Sequence, residues 1–252
     1  MNRSVRPLQQ NDPARLYELT EYPALGHVQL LPIVAVEAQS LAHHYPLVWR
    51  RVGEAFELVA LISLSAPHDL TLRRDLERGL PRPLLLEAYP FSVVFADAND
   101  SQGAVLIEDT ETSADTAGAP VFLENGALSP AATRRISLLE VYAGDSARTA
   151  AYTRAMAERG LLVDWPLRLR IGDEGVEIDG LCVLAPPAAR REALPALVTD
   201  HGFPLAELVT LHDLSLFNLQ RLVDRHRAER GLRAEAGGSA SGSSMPQGAP
   251  RP

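Results

Sequence analysis

The sequence predicts an α+β fold: a mainly antiparallel sheet with short N-terminal helices, a helical C-terminal half and a disordered tail. Three observations predict it. The first half alternates short strand-like runs with turn-forming residues. Leu167, Leu169 and Ile171 alternate with Arg168 and Arg170, the period of a half-buried strand. The second half carries helix signals at Ser129-Pro130, Pro186-Pro187 and in an amphipathic run from Asp213 to Arg230.

Taken in order, His27 to Val34 reads as a strand interrupted by Pro32, which suits an edge or a bulge. Glu37 to Tyr45 makes a short helix that Pro46 ends. Leu47 to Arg51 and Phe56 to Leu64 read as a hairpin turning at Gly53. Ser92 to Ala96 and Ala104 to Glu108 are strand-like, separated by a turn over Asp97 to Gly103. Asp109 to Ala119 is acidic and small, the best candidate for a mobile surface loop. Ser129 caps a helix whose signals run from Arg134 to Arg159, with a break expected near Gly144 and an end at Gly160. Trp165 to Ile171 and Val176 to Leu184 flank Gly172-Asp173-Glu174-Gly175 as a second hairpin. Pro186-Pro187 opens a helix to about Asp200, capped near Gly202. From Gly231 onward Gly, Ser, Ala and Pro dominate, and little there can be buried to offset ordering entropy. Residues 1–230 are thus read as one domain, with two subdomains meeting near 128 as the alternative, and 231–252 as the tail.

Composition narrows the function. The chain has 252 residues, 46% hydrophobic, with a net charge of -8, so it is an ordinary globular protein lacking the basic face that nucleic acid requires. All 24 basic residues are arginine, which excludes a Schiff-base lysine and a lysine-dependent phosphate loop. Cys182 is the single cysteine and, between Leu181 and Val183, reads as a small apolar strand residue. The N-terminus shows no apolar signal region and no run approaches the roughly 20 residues that span a bilayer. The expectation is a protein made in the cytoplasm, with no transmembrane segment.

Several ordered stretches carry a family resemblance: YPLVW (Tyr45 to Trp49), YPFSVVF (Tyr89 to Phe95), GAPVFLENGALSP (Gly118 to Pro130), ERGLLVDWPLRLR and LHDLSLFNLQRL (Leu211 to Leu222). In this order they resemble the SapC family of bacterial proteins, named for a gene linked to paracrystalline surface layers. The resemblance covers nearly the whole chain except the first residues and the tail. It implies an accessory role in cell-surface biology, alongside outer-membrane nutrient receptors and flavin-dependent halogenases, with a protein or peptide partner. It brings no catalytic residues and no cofactor. The inner-membrane peptide permease of the same short name needs spanning helices that this sequence does not contain.

No His-Glu-x-x-His, Gly-x-Ser-x-Gly or Gly-x-Gly-x-x-Gly occurs. His68-Asp69 is an adjacent pair whose side chains point apart on a strand. Gly144-Asp145-Ser146 matches the start of a lipase block, but a turn with Asp145 capping the next helix explains it better. Ser215, His212 and Asp213 are too close along one helix to form a triad. Glu37, His43 and His44 are the one candidate metal set, the basis of an alternative metal-dependent enzyme. Tyr45, Trp49, Tyr89, Phe91, Phe95 and Phe122 are the candidate partner-binding residues, lining an apolar pocket if their strands adjoin and otherwise filling the core. The pairs Arg50-Arg51, Arg73-Arg74, Arg134-Arg135 and Arg190-Arg191 read as solvated faces in a chain where arginine supplies all positive charge. A third reading, from the surface-layer connection, is a self-assembling structural component.

Overall fold

The computed structural model describes residues 4–66, 78–94, 104–114 and 117–240, with side chains to Gly231. His68, Asp69, Arg73, Arg74, Phe95, Ala96 and the expected turn over Asp97 to Gly103 lie outside the described residues.

A five-stranded antiparallel sheet forms the centre. Its strands are β3 (Leu30–Pro32), β4 (Leu47–Val52), β5 (Ala55–Leu61), β9 (Leu162–Asp164) and β12 (Leu181–Leu184), in the order β3-β5-β4-β12-β9. β4 and β5 are the expected hairpin, and Gly53 takes the positive φ of 59° that its turn requires. Pro32 lies on edge strand β3, where its missing N–H costs no ladder bond. The sheet joins strands from both sides of residue 128, since Cys182 pairs with Trp49.

Period-two alternation buries both faces of this sheet. Leu47, Trp49, Leu58, Ala60, Cys182 and Leu184 face one core, with helices α3 (Pro130–Glu158), α5 (Ala193–His201) and α6 (Phe203–Ser215). Val48, Val59, Leu61 and Leu181 face a second core, covered by α7 (Leu219–Ala240) and by the hairpin of β10 (Leu167–Ile171) and β11 (Glu174–Ile178). A three-stranded sheet, β1 (Ser4–Pro7), β7 (Ala104–Asp109) and β6 (Phe91–Val94) in the order β1-β7-β6, packs on the first turns of α3. Short strands β2 (Arg15–Leu16) and β8 (Ala119–Pro120) pair beside it. The short helices are α1 (Ala38–Leu41), α2 (Leu84–Glu87) and α4 (Pro187–Arg190). Among the described residues no helix is long and apolar enough to cross a membrane.

The structure corrects several expectations. His27 to Val34 is not one strand: Pro23–His27 is a 3-10 helix and β3 starts at Leu30. The expected break at Gly144 does not occur, for α3 runs unbroken over 29 residues. Asp145 caps no following helix. From within α3 it accepts the N–H of Val36 at 2.8 Å, while Thr149 Oγ1 accepts that of Ala35 at 2.7 Å. These distant donors hold the two polar groups in the helix, and Asp145 and Thr149 are both buried. Val176 to Leu184 is two strands, separated where Gly180 adopts a φ of 72°. The last helical region begins at Phe203, tightens to a 3-10 turn at Leu216–Asn218, and continues to Ala240, beyond the start assigned to the tail. In the described part of the segment after Asp109, Ser113 N–H donates to the Glu21 carbonyl at 2.9 Å and Thr112 Oγ1 to the same oxygen at 3.1 Å.

Candidate functional site

A groove of about 410 Å³ opens beside the three-stranded sheet. Its apolar floor and walls are Pro13, Ala14, Pro90 and Ile107; its polar rim carries Arg15, Tyr17, Glu108, Asp109, Thr110 and Thr112. These residues come from three distant stretches of chain. Pairing of β1 with β7 places Arg6 opposite Ile107, and pairing of β6 with β7 places Phe91 there too. Glu108 N–H donates to the Pro90 carbonyl at 3.0 Å.

Two arginines fix the walls. Arg6 bonds Asp12 through two nitrogens and Asp109 Oδ1 through Nε at 3.0 Å. This guanidinium holds the buried Asp12 carboxyl below the ordinary carboxylate range. Asp12 in turn accepts the Ala14 N–H at 3.0 Å, which shapes the wall before β2. Arg135, on the first turns of α3, donates to the carbonyls of Tyr89 (2.7 Å) and Tyr17. Two carbonyls from distant segments thus share one planar cation, the geometry that favours arginine over lysine. Behind the groove the Tyr22 ring meets Tyr89 edge-on at 4.9 Å and Tyr17 at 6.0 Å, and the Tyr17 N–H donates to the Tyr22 hydroxyl. Gly118 completes the arrangement: a Cβ there would stand 2.4 Å from the Leu16 carbonyl and 2.8 Å from the Tyr17 ring. Arg15 reaches across β2 and β8 to the Gly118 carbonyl at 2.7 Å.

The candidate aromatic residues do not share one pocket. Tyr45 and Trp49 are fully buried in the first core, where Trp49 Nε1–H donates to Thr153 Oγ1 at 3.1 Å. Phe91 and Phe122 belong to the core under the three-stranded sheet, and Tyr89 to the tyrosine cluster. Tyr89 and Phe91 flank the groove residue Pro90, and Phe91 pairs with the groove residue Ile107, but neither ring lines the groove. Phe95 lies outside the described residues.

The metal set does not assemble either. Glu37 is buried and its oxygens accept the N–H of Leu84 at 2.6 Å and of Val34 at 2.9 Å; burial pushes its pKa up to about 7. His43 is exposed, while His44 lies edge-on to Tyr45. Among the described residues no three His, Cys, Asp or Glu side chains are grouped to hold a metal ion. Ser215, His212 and Asp213 separate as expected: His212 and Ser215 bond backbone groups of β4, and Asp213 pairs with Arg190.

Sequence reasoning missed Arg6, Arg15, Tyr17 and Arg135. Arg135 was grouped with the solvated pairs, but it is half-buried, and Arg190 is 5% exposed. Helical phase was the available signal, because Arg135 stands one turn from each of Ala132 and Leu139, both buried. Chemically, the groove offers guanidinium and hydroxyl donors beside carboxylate acceptors over an apolar floor. That combination suits a short polar chain segment with one apolar side chain.

No curated protein and no solved structure matches the chain significantly. The SapC family model matches residues 12–222, most of the chain, including every groove residue but Arg6; the chain belongs to the SapC family.

Proposed function

We propose that this SapC-family protein is a non-enzymatic accessory protein of the bacterial cell surface that binds a protein or peptide partner. The observation that carries this reading is the groove between Arg15, Tyr17, Pro90 and Thr112. Its volume accommodates one large side chain and the adjoining backbone. Its walls are held by Arg6 and Arg135 through bonds to backbone and carboxylate, so little ordering entropy remains to oppose binding. The cell-surface setting rests on family membership.

The test is site-specific photocrosslinking in the source bacterium, with a benzophenone side chain at Thr110 in the groove or at Glu140 on the exposed face of α3. The expected result is a discrete adduct from position 110 alone, weakened by the charge reversal Arg15→Glu. Equal adducts at both positions, or an adduct indifferent to Arg15→Glu, would place the partner elsewhere.

A further inference from the structure

The rod formed by α6, its 3-10 turn and α7 turns an apolar stripe outward. Phe203 is 74% exposed, Leu214 50% and Phe217 81%. With Glu207, Thr210 and Arg221 they recur at alternating spacings of four and three, all exposed, which is the seam spacing of paired helices. Beside this stripe lies a groove of about 220 Å³ whose lining includes Val36, Pro204, Leu208 and Leu211.

We propose that this face binds a second copy of the same chain, helix against helix, antiparallel, with the two-fold axis at Leu214. Charge selects that arrangement. Glu207 and Arg221 lie equally spaced on either side of Leu214, and among the described residues neither has an ion-pair partner. Arg221 gives one N–H to the His43 carbonyl and keeps further donors for a carboxylate. A parallel pairing sets Glu207 against Glu207 and Arg221 against Arg221. The antiparallel pairing sets each Glu207 against the second copy's Arg221, once on each side of the axis. The same register carries a consequence that charge did not choose. Leu211 and Phe217 are also equally spaced about Leu214, so each Phe217 comes to the second copy's Leu211, at the 220 Å³ groove. The most exposed aromatic ring of the described chain thereby meets an apolar recess. This inference is independent of the peptide-binding groove, which lies against the other sheet.

Sedimentation velocity over a concentration series tests it, on the full chain. The wild type is expected to form a dimer. Glu207→Arg or Arg221→Glu alone is expected to weaken it by about tenfold or more, and the double reversal to restore it, because opposite charges then face each other again on both sides of the axis. Leu214→Cys supplies a second measurement. A residue on the axis meets its own copy, so diamide should link the two chains through that thiol, whereas Glu140→Cys on α3 should not link. The native Cys182 is buried and does not compete. All of these positions are exposed, and circular dichroism checks that each variant folds. A monomer at every soluble concentration overturns the proposal. So does a dimer that ignores both reversals and gives no Leu214→Cys crosslink.

Discussion

Leu184 and Leu47 continue the antiparallel register of β12 against β4, but the imidazole of His212 stands between them. The ladder is regular through Cys182 and Trp49. Two residues on, the Leu184 N–H donates to His212 Nε2 at 3.2 Å, and His212 Nδ1–H donates to the Leu47 carbonyl at 2.7 Å. Ser215 Oγ accepts the Leu47 N–H at 2.9 Å, so α6 completes the sheet with side chains. His212→Leu strands a buried N–H and a buried carbonyl, an expected loss of about 2–5 kcal/mol in unfolding free energy. His212→Gln supplies an amide donor and a carbonyl acceptor and should avoid more than half of that loss. Denaturant titration distinguishes them; equal losses would mean that ring packing on Trp49, not the bridge, is what matters.

A pH dependence follows from His212 together with Glu37. Burial pushes His212 down to about 4 from 6.5, and burial pushes Glu37 up to about 7 from 4.5. From about pH 4.5 to 6.5 the folded chain holds a proton on Glu37 that the unfolded chain has released, so that linkage weakens the fold as pH rises. Over the same window the unfolded chain holds a proton on His212 that the folded chain lacks, so that linkage strengthens it. Each contributes up to about 1.4 kcal/mol per pH unit, and the two oppose. The stability of Glu37→Gln relative to wild type should therefore climb with pH across the window, and that of His212→Gln should fall. Urea midpoints taken at half-unit steps check both signs, and two flat differences would refute the opposition.

How far the sequence foretold this follows from the range of each interaction. The β4–β5 and β10–β11 hairpins were legible because a glycine turn and a period-two pattern are local. The attachment of β12 to β4 was not, since nothing local distinguishes a strand that extends a hairpin from one that leaves it after Gly180. Gly144 read as a helix break on propensity alone; the donors at Ala35 and Val36 that hold α3 together there are more than a hundred residues away. Nothing in the residues flanking Tyr45, Trp49, Tyr89, Phe91 and Phe122 signals that three separate cores take them. The groove draws on residues 6–17, 90 and 107–112, and only strand register brings those together.

Trp49 and Thr153 make a pair suited to a double-mutant cycle. The indole N–H is buried in the first core, with Thr153 Oγ1 as its acceptor. Thr153→Val leaves that donor without a partner and should cost about 1–3 kcal/mol. Trp49→Phe loses the donor and also buried volume, about 2–4 kcal/mol. Because the first variant's penalty needs the indole, the double variant should be milder than the two losses added, by about 1 kcal/mol or more. Additive losses would show the bond to be incidental.

Arg135 should not tolerate lysine, though the charge is kept. Its guanidinium spans the carbonyls of Tyr89 and Tyr17, one nitrogen to each. A single ammonium is a compact point charge on a flexible stem and cannot hold both oxygens in that planar fork. Arg135→Lys is expected to lower stability by about 1–2 kcal/mol, the worth of one charge-assisted bond. It should also loosen the edge-on contacts of Tyr22 with Tyr89 and Tyr17, read as reduced near-ultraviolet circular dichroism from tyrosine. Arg134→Lys, one residue away and exposed, is the control and should change neither. If both variants behave alike, the two carbonyls are held by the backbone around them and Arg135 is not what fixes the groove wall.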